Sequence, residues 1–272
     1  MIVKNGGFNM KGNYHTHTTR CHHASGSDEE YVLEAIKGEI DVLGFSDHSP
    51  WKYDSDFVPR MRMTLAEFED YYQSINVLKE KYKDQIKILI GLEAEYYPKY
   101  MKWLDEFLAK GYVDYIILGN HFKDSDEYGE YYGRIATTDS GLKSYLDSSL
   151  EAMEYEKYSY FAHPDLYMRN RTSFGEDEKK VAYAICEKAK ELDLLLEYNL
   201  EGLLMNKENG ILGYPYIGFW QIAAEVGNRV IIGVDAHKPS SLSDVKRFNE
   251  AKELLESMGL VVESEIPLLK DR

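Results

Sequence analysis

The stretch Asn13-Tyr14-His15-Thr16-His17-Thr18, followed by Cys21-His22-His23, decides how the rest of the chain is interpreted. It lies near the N-terminus and is typical of a first strand that runs directly into a group of metal ligands. Residues two apart on a strand point to the same side, so His15 and His17 can face one point. Converging neutral imidazoles are common ligands of divalent metals. A His-x-His pair alone is a weak signal, so the other histidines decide its meaning.

Short apolar runs elsewhere in the chain end in similar side chains. The run at residues 41–46, for example, ends at Asp47-His48, and the run at 86–92 leads to Glu93. Seven of the eight histidines and two acids lie at or just after predicted strand ends: His15, His17, His23, His48, Glu93, His121, His163, Asp235 and His237. Independent structural reasons for so many coincidences are improbable, and the pattern therefore predicts one shared site.

The order of strand, functional residue and helix repeats about seven times along the chain. Amphipathic segments such as residues 29–37, 64–82 and 176–192 predict the helices, whereas residues 123–138 are predicted to form a loop and the C-terminal end a tail. This alternation predicts parallel strands joined by right-handed crossovers. Seven or eight such strands close best as a barrel, in which the site lies at the rim formed by the C-terminal ends of the strands. A doubly wound open sheet ranks second, because no glycine-rich dinucleotide fingerprint follows any strand.

Composition limits the partners and the compartment. The formal net charge of −15 makes a nucleic-acid-binding surface unfavourable, and no apolar run reaches the length of a membrane span. Only two cysteines are present, which fits a reducing cytoplasm better than a disulfide framework. Residues 1–12 are predicted to form a flexible leader. The oligomeric state is left open, and a homo-oligomer is compatible with the sequence.

The ligand set predicts a multinuclear metal centre. About nine imidazoles and carboxylates exceed what one tetrahedral zinc ion uses, so two to three divalent ions of zinc, iron or manganese are expected. A hydroxide bridging such ions is available at neutral pH and can attack a phosphate ester in line. Hydrolysis of a phosphomonoester is therefore the reaction that this site would perform best.

The motifs that carry these ligands resemble the polymerase-and-histidinol-phosphatase (PHP) family. They are His15-Thr16-His17, Cys21 to His23, Ser46-Asp47-His48, Gly91-Leu92-Glu93-Ala94-Glu95, His121, Ala162-His163-Pro164-Asp165 and Asp235-Ala236-His237, in the order of the family. Arg60-Met61-Arg62-Met63 resembles the histidinol-phosphatase branch. The resemblance implies a single PHP-type catalytic domain over residues 1–272, a distorted (β/α)7 barrel with a trinuclear centre, and conversion of L-histidinol phosphate to L-histidinol and phosphate in histidine biosynthesis.

The resemblance also implies residue roles. One metal would take His15, His17, Glu93 and Asp235, a second would share Glu93 and add His121 and His163, and a third would take His23, His48 and His237. His23 is preferred to its neighbour His22 from the motif. Asp235 or His237 could protonate the leaving alkoxide. Arg62, Arg169 and Asn199 are predicted to contact the substrate, although a surface ion pair explains the two arginines equally well.

Other functions remain open at this point. The fold could serve another phosphoesterase, with phosphotyrosine or a nucleotide as substrate. An amidohydrolase also starts with a His-x-His strand, but it usually supplies a bridging lysine after a middle strand, where this sequence has Glu93. A catalytically silent metal-binding module is disfavoured, because no ligand position is lost.

Overall fold

In the computed structural model, which describes residues 10–271, the apolar runs of the sequence form one eight-stranded sheet. All neighbouring strands are parallel, and they follow one another in the sheet in chain order. The strands are β1 (Gly12–Asn13), β2 (Val42–Phe45), β3 (Lys87–Ala94), β4 (Tyr115–Gly119), β5 (Tyr158–Ala162), β6 (Leu195–Asn199), β7 (Arg229–Gly233) and β8 (Val261–Glu263). This order is the one that successive βα units produce.

The sheet curls far enough for its first and seventh strands to meet at their C-terminal ends. A parallel bridge joins Thr16 to Ala236, and His17 N donates to Ala236 O at 3.0 Å. At the opposite ends of the strands, β8 pairs with β7 instead. The prediction of a distorted TIM-like barrel is thus confirmed, with the distortion at β1, β7 and β8.

Helices follow most of the strands and cover the outside of the sheet. They are α1 (Asp28–Lys37), α2 (Leu65–Lys81), α3 (Met101–Leu108), α4 (Tyr132–Ile135), α5 (Asp139–Met153), α6 (Glu176–Glu191), α7 (Leu200–Asn209), α8 (Ile217–Val226) and α9 (Val245–Ser257). Capping boxes fix where two of them begin: Ser27 with Glu30 at α1, and Thr64 with Glu67 at α2. No helix within residues 10–271 has the length and apolar character needed to cross a membrane.

The strands place different chemistry at the two ends of the barrel interior. Alternate residues of a strand share a face, so in β3 Leu89, Gly91 and Glu93 point the same way. A buried apolar cluster, which includes Leu89, Tyr115 and Tyr160, fills the lower part. Gly91 is required there, because a Cβ at this position would overlap the ring of Tyr115. The carboxylate of Glu93 lies above this apolar floor, at the C-terminal rim.

Three segments differ from their sequence prediction. Residues 1–9 of the predicted leader lie outside the described residues, but Met10 is buried and Gly12 already belongs to β1. The predicted loop at 123–138 contains the short helix α4, and the predicted tail contains β8. Helix α7 follows β6 directly and was not predicted, because its ten residues have little amphipathic periodicity.

Candidate metal centre and cavity

The predicted ligands converge at the C-terminal rim of the barrel. Glu93 is buried at the centre of the group, with 1% of its surface exposed. Imidazole nitrogens approach its two oxygens from five directions: His15 Nε2 at 3.6 Å, His17 Nε2 at 3.6 Å, His48 Nδ1 at 2.9 Å, His121 Nε2 at 3.3 Å and His163 Nε2 at 3.0 Å. One carboxylate shared among five imidazoles is the arrangement that a bridging metal ligand needs.

Asp235 is the second carboxylate of the cluster and lies beside the histidine pair of the first strand. Its Oδ1 is 3.0 Å from His17 Nε2 and 3.4 Å from His15 Nε2. Its backbone has a φ of +51°, and that of His163 has +36°, both in the left-handed region that non-glycine residues seldom adopt. Strained backbone of this kind concentrates at functional sites, where surrounding contacts hold it in place.

Oxygen acceptors on the outer side of the cluster orient several of the rings. Glu197 Oε1 is 2.7 Å from His15 Nδ1, Asp47 Oδ1 is 3.4 Å from His17 Nδ1, and Glu95 Oε1 is 3.1 Å from His121 Nδ1. Backbone oxygens of Cys21 and Asp235 do the same for Nδ1 of His23 and His237, at 2.7 and 3.0 Å. A proton held on Nδ1 leaves Nε2 with a free lone pair directed at the cluster, as metal-binding histidines require.

Unpartnered polar atoms show that the cluster fits a cation. Within residues 10–271, His15 Nε2, His48 Nδ1, Glu93 Oε2 and Asp235 Oδ1 are buried without a hydrogen-bond partner in suitable geometry. Leaving such atoms unpaired is costly, and a divalent ion would satisfy them together. Nε2 of His23 also faces Nε2 of His237 at 3.0 Å, a contact between two potential lone pairs that an ion would relieve.

The pKa values report the same excess of negative charge. Burial disfavours the imidazolium form of His15, but Asp235, Glu197 and Glu93 outweigh it and raise its pKa well above 6.5. Burial likewise opposes ionisation of Glu93, yet the imidazoles, His121 foremost, hold its pKa well below 4.5. At His48 burial prevails and lowers the pKa to about 3. Glu93 is therefore ionised at neutral pH, and either protonated imidazoles or bound cations can balance its charge.

Several sets of ligand atoms lie close enough to share an ion, including three that consist of predicted ligands only. Within each set the atoms are within 4.8 Å of one another: His15, His17 and Glu93; His15, His163 and Asp235; and His23, His48 and His237. The last set has the membership assigned to the third metal from the sequence. Both His22 and His23 are exposed, but His23 Nε2 is directed at His237, whereas His22 ends a 3-10 turn with a φ of +66° and belongs to none of these sets. The cluster thus has the donors for divalent metal binding.

A cavity of about 590 Å³ opens above the cluster. Besides the predicted ligands, its walls carry cationic side chains, apolar and aromatic side chains, and the polar residues Ser25 and Glu201. Cationic residues are contributed by three different segments: Arg134, Arg169 and Lys238. The apolar and aromatic wall consists of Met61, Phe122, Tyr131, Met205 and Tyr214. Arg169 Nη1 donates to Tyr131 Oη at 3.1 Å, which holds that guanidinium against the wall.

Two predicted substrate contacts are not brought to the cavity. Arg62 is fully buried behind the rim, where it donates to Glu95 at 2.6 and 2.9 Å and to Asp126 at 2.7 Å. Asn199 is also fully buried. Its Nδ2 donates to Asp235 Oδ2 at 3.0 Å, and its Oδ1 caps α7 by accepting from Gly202 N. Neither side chain lines the cavity, and both are held by partners within the protein, so their predicted contact with the substrate is not supported by this geometry and stays a prediction.

Several residues of the site were missed in the sequence. Glu95, Glu197 and Asp47 orient imidazoles. The alternation of the strands was a usable signal for two of them, because Glu95 lies two residues from Glu93 and Glu197 lies two residues from Asn199, on the same face. Arg134 and Glu201 line the cavity but carry no local signal. They belong to α4 and α7, the two helices that were not predicted.

Alignments with known proteins of similar sequence cover most of this chain. A probable histidinol-phosphatase of Deinococcus radiodurans is 26% identical over 254 residues, which cover 90% of this chain and 92% of that protein. The histidinol-phosphatase of Bacillus subtilis is 26% identical over 264 residues, covering 84% and 94%. Among solved structures, the histidinol phosphate phosphatase of Lactococcus lactis, in complex with zinc, L-histidinol and phosphate, superposes with a TM-score of 0.74 at 22% identity, covering 95% of this chain and 99% of that one.

The match to a family model covers most of the barrel and its rim. The model, described as the PHP domain, matches residues 13–201, from the first strand to the start of α7. This range includes the ligands from His15 to His163 and the outer acceptors Glu95 and Glu197. The chain belongs to the PHP domain family.

Proposed function

We propose that this protein is a metal-dependent phosphomonoesterase that hydrolyses L-histidinol phosphate to L-histidinol and phosphate in histidine biosynthesis. One observation carries the proposal: the buried cluster of imidazoles and carboxylates faces a cavity with Arg134, Arg169 and Lys238, for which residues 10–271 supply no carboxylate partner. Unpaired cations beside a metal site suit a phosphate group. The relatives in D. radiodurans and B. subtilis are named as histidinol-phosphatases, which supports L-histidinol as the alcohol of the phosphate ester.

We assign two to three divalent ions of zinc, iron or manganese to the cluster. The first would be held by His15, His17, Glu93 and Asp235, the second by Glu93, His121 and His163, and the third by His23, His48 and His237. When bound, such ions lower the pKa of coordinated water and neutralise phosphate charge, which provides a hydroxide nucleophile at neutral pH. The zinc in the L. lactis structure supports zinc as one of the native ions.

The side chains of the cavity would bind and orient the phosphate. Arg169 is fixed by Tyr131, and its guanidinium lies 5.7 Å from the ring centre of Tyr131 and 6.0 Å from that of Tyr214. A guanidinium restrained in this way loses little entropy when it donates to phosphate oxygens. Arg134 and Lys238, which line the same cavity, would add positive charge. Together they stabilise the negative charge of the transition state.

Proton donation to the leaving alkoxide stays a prediction for Asp235 and His237. Burial lowers the pKa of His237 to about 4, and the imidazoles, His15 foremost, keep the pKa of the buried Asp235 well below 3.8. Neither side chain carries its own proton at neutral pH. These values favour the two residues as metal ligands, so a donor role would require a proton taken up during the reaction.

Cysteine usage supports a cytoplasmic location. Cys21 and Cys186 are both buried and free, and they belong to different parts of the fold. Burial raises the pKa of the Cys186 thiol above its usual range, which keeps it unreactive. A protein that leaves both thiols reduced suits a reducing compartment.

A phosphate-release screen tests the proposal. The protein would be loaded with zinc, manganese or iron and assayed with L-histidinol phosphate, phosphotyrosine and nucleoside monophosphates. We expect kcat/KM to be highest for L-histidinol phosphate and metal analysis to give two to three equivalents. A preference for phosphotyrosine would contradict L-histidinol phosphate as the substrate. A single equivalent of metal would contradict the multinuclear centre.

Two arginine variants test the phosphate contacts. Arg134→Met and Arg169→Met should each raise KM for any phosphate ester by about 10-fold or more, the loss expected for a hydrogen bond to a charged group. Arg229→Met is the matched control, because Arg229 lies away from the cavity and is paired with Asp193 and Glu263. If KM and kcat are unchanged in both test variants, Arg134 and Arg169 do not bind the phosphate.

A further inference from the structure

The cavity contains one carboxylate that does not belong to the metal cluster. Of the acids in its lining, Glu93 and Asp235 face the imidazoles, whereas Glu201 is contributed by the first turn of α7. Asn199 caps this helix and also donates to Asp235 at 3.0 Å, so the start of α7 is tied directly to the cluster. The position of Glu201 relative to the reacting phosphate is therefore fixed by the same side chain that orients a ligand.

Glu201 forms no side-chain hydrogen bond or close ion pair with any residue that the structure describes, although the side chain is half-buried. Burial, with Asp235 adding to it, raises the pKa of Glu201 to about 7, while Arg247 and Lys238 are close enough only to oppose this shift. A partly desolvated carboxylate without a partner is unfavourable, and a cation brought by a ligand would remove the cost.

The wall next to Glu201 suits an organic cation better than a metal ion. Met205 lies one turn further along α7, on the same side of the helix, and also lines the cavity. Phe122, Tyr214 and Met61 continue this apolar surface. Glu201 is the one carboxylate of this lining outside the metal cluster, which is fewer charged oxygen ligands than a hard divalent ion prefers, whereas an alkylammonium or imidazolium group can bury its carbon atoms and pair its charge.

We propose that Glu201 is a specificity-determining residue that binds a protonated nitrogen in the alcohol part of the substrate. The substrate class is a phosphate monoester whose alcohol carries a cationic nitrogen a few bonds from the phosphate. This inference rests on the proposed phosphomonoesterase activity and deepens it, because it assigns the groups that distinguish one ester from another. The arginines would take the phosphate, and Glu201, in the same cavity lining, would take the opposite charge.

The test compares Glu201→Gln with wild type on esters of similar leaving group and different charge. L-histidinol phosphate and phosphoethanolamine carry a cationic nitrogen, and glycerol phosphate does not. We expect KM for both cationic esters to rise about 10-fold or more, with kcat retained and glycerol phosphate unaffected. Glu208→Gln, at the exposed end of the same helix, should leave all three substrates unchanged.

The outcomes separate this inference from the proposed function. If wild type hydrolyses phosphoethanolamine better than glycerol phosphate but ignores L-histidinol phosphate, the named substrate fails and the Glu201 assignment is still tested. Equal loss on cationic and neutral esters, or no loss, would overturn the assignment. A fall in kcat alone would also overturn it and would make Glu201 a proton donor. Glu201→Asp, which keeps the charge, should retain most of the preference and shows that Glu201→Gln acts through charge.

Discussion

Replacing Arg62 by Met should destabilise the protein far more than any substitution of an exposed arginine. The guanidinium is fully buried and donates four hydrogen bonds within 3.1 Å: two to Glu95, one to Asp126 and one to Ser49 O. The variant would leave two buried carboxylates with their charges uncompensated. Removing one partner of a buried ion pair typically costs about 3–5 kcal/mol of the free energy of unfolding.

This loss can be measured as a shift in thermal and chemical unfolding. For a chain of this size each kcal/mol lowers Tm by roughly 2–4 °C, so Arg62→Met should lower Tm by roughly 6–20 °C. Urea unfolding followed by circular dichroism gives the free energy independently. Arg229→Met is the control, because the Arg229 side chain is 44% exposed and its ion pairs are worth about 1 kcal/mol or less.

A double variant shows whether the cost comes from the orphaned charges. Asp126→Asn removes one of the two carboxylates, so Arg62→Met combined with Asp126→Asn should lose less stability than the sum of the single variants. If Arg62 instead bound the substrate phosphate, Arg62→Met would raise KM and leave Tm within the range of the Arg229→Met control. That result would refute the burial argument and restore the original interpretation of Arg62.

Three further predictions concern ligand orientation, pH and the barrel interior. Glu197→Gln should weaken the 2.7 Å contact to His15 Nδ1 and lower metal affinity about 10–100-fold in a metal titration. Burial raises the pKa of Asp165 from 3.8 to about 7. Between these two pH values the folded protein keeps the carboxyl protonated and the unfolded chain does not, so the free energy of unfolding falls as the pH rises from about 4 to about 7. Urea unfolding at several pH values should show a flatter slope for Asp165→Asn. Gly91→Ala forces a methyl group into the Tyr115 ring and should cost about 1–3 kcal/mol of unfolding free energy.

The group of side chains that converges at the rim could be predicted because its signal is local. Each lies at the end of an apolar strand, and the parallel topology brings all strand ends to one rim whatever the details of packing. His15 and His17 needed only the alternation of a strand, and the chain after β1 keeps this geometry by bonding to Ala236. The barrel itself followed from the repeated order of strand and helix in the same way.

The roles of the arginines could not be predicted, because distant residues decide them. Met61 lines the cavity while its neighbour Arg62 points away from it, toward carboxylates 33 and 64 positions further along the chain. No pattern within residues 60–63 distinguishes these two directions. Arg134 was missed for a related reason, since it belongs to a four-residue helix that is too short to produce a periodic signal.

A protein with a net charge of −15 must concentrate positive charge locally if it is to bind a phosphate group. Most of its arginines cannot serve, because Arg20, Arg62, Arg171, Arg229 and Arg247 are paired with carboxylates. Arg134 and Arg169 line the cavity without a carboxylate partner; Arg169 is half-buried, which strengthens its field, whereas Arg134 is exposed and more strongly screened. The global charge repels a simple anion but attracts a cation. A substrate that carries a phosphate at one end and a protonated nitrogen at the other would resolve this conflict, since the arginines would bind one end and the acidic protein, through Glu201, would favour the other.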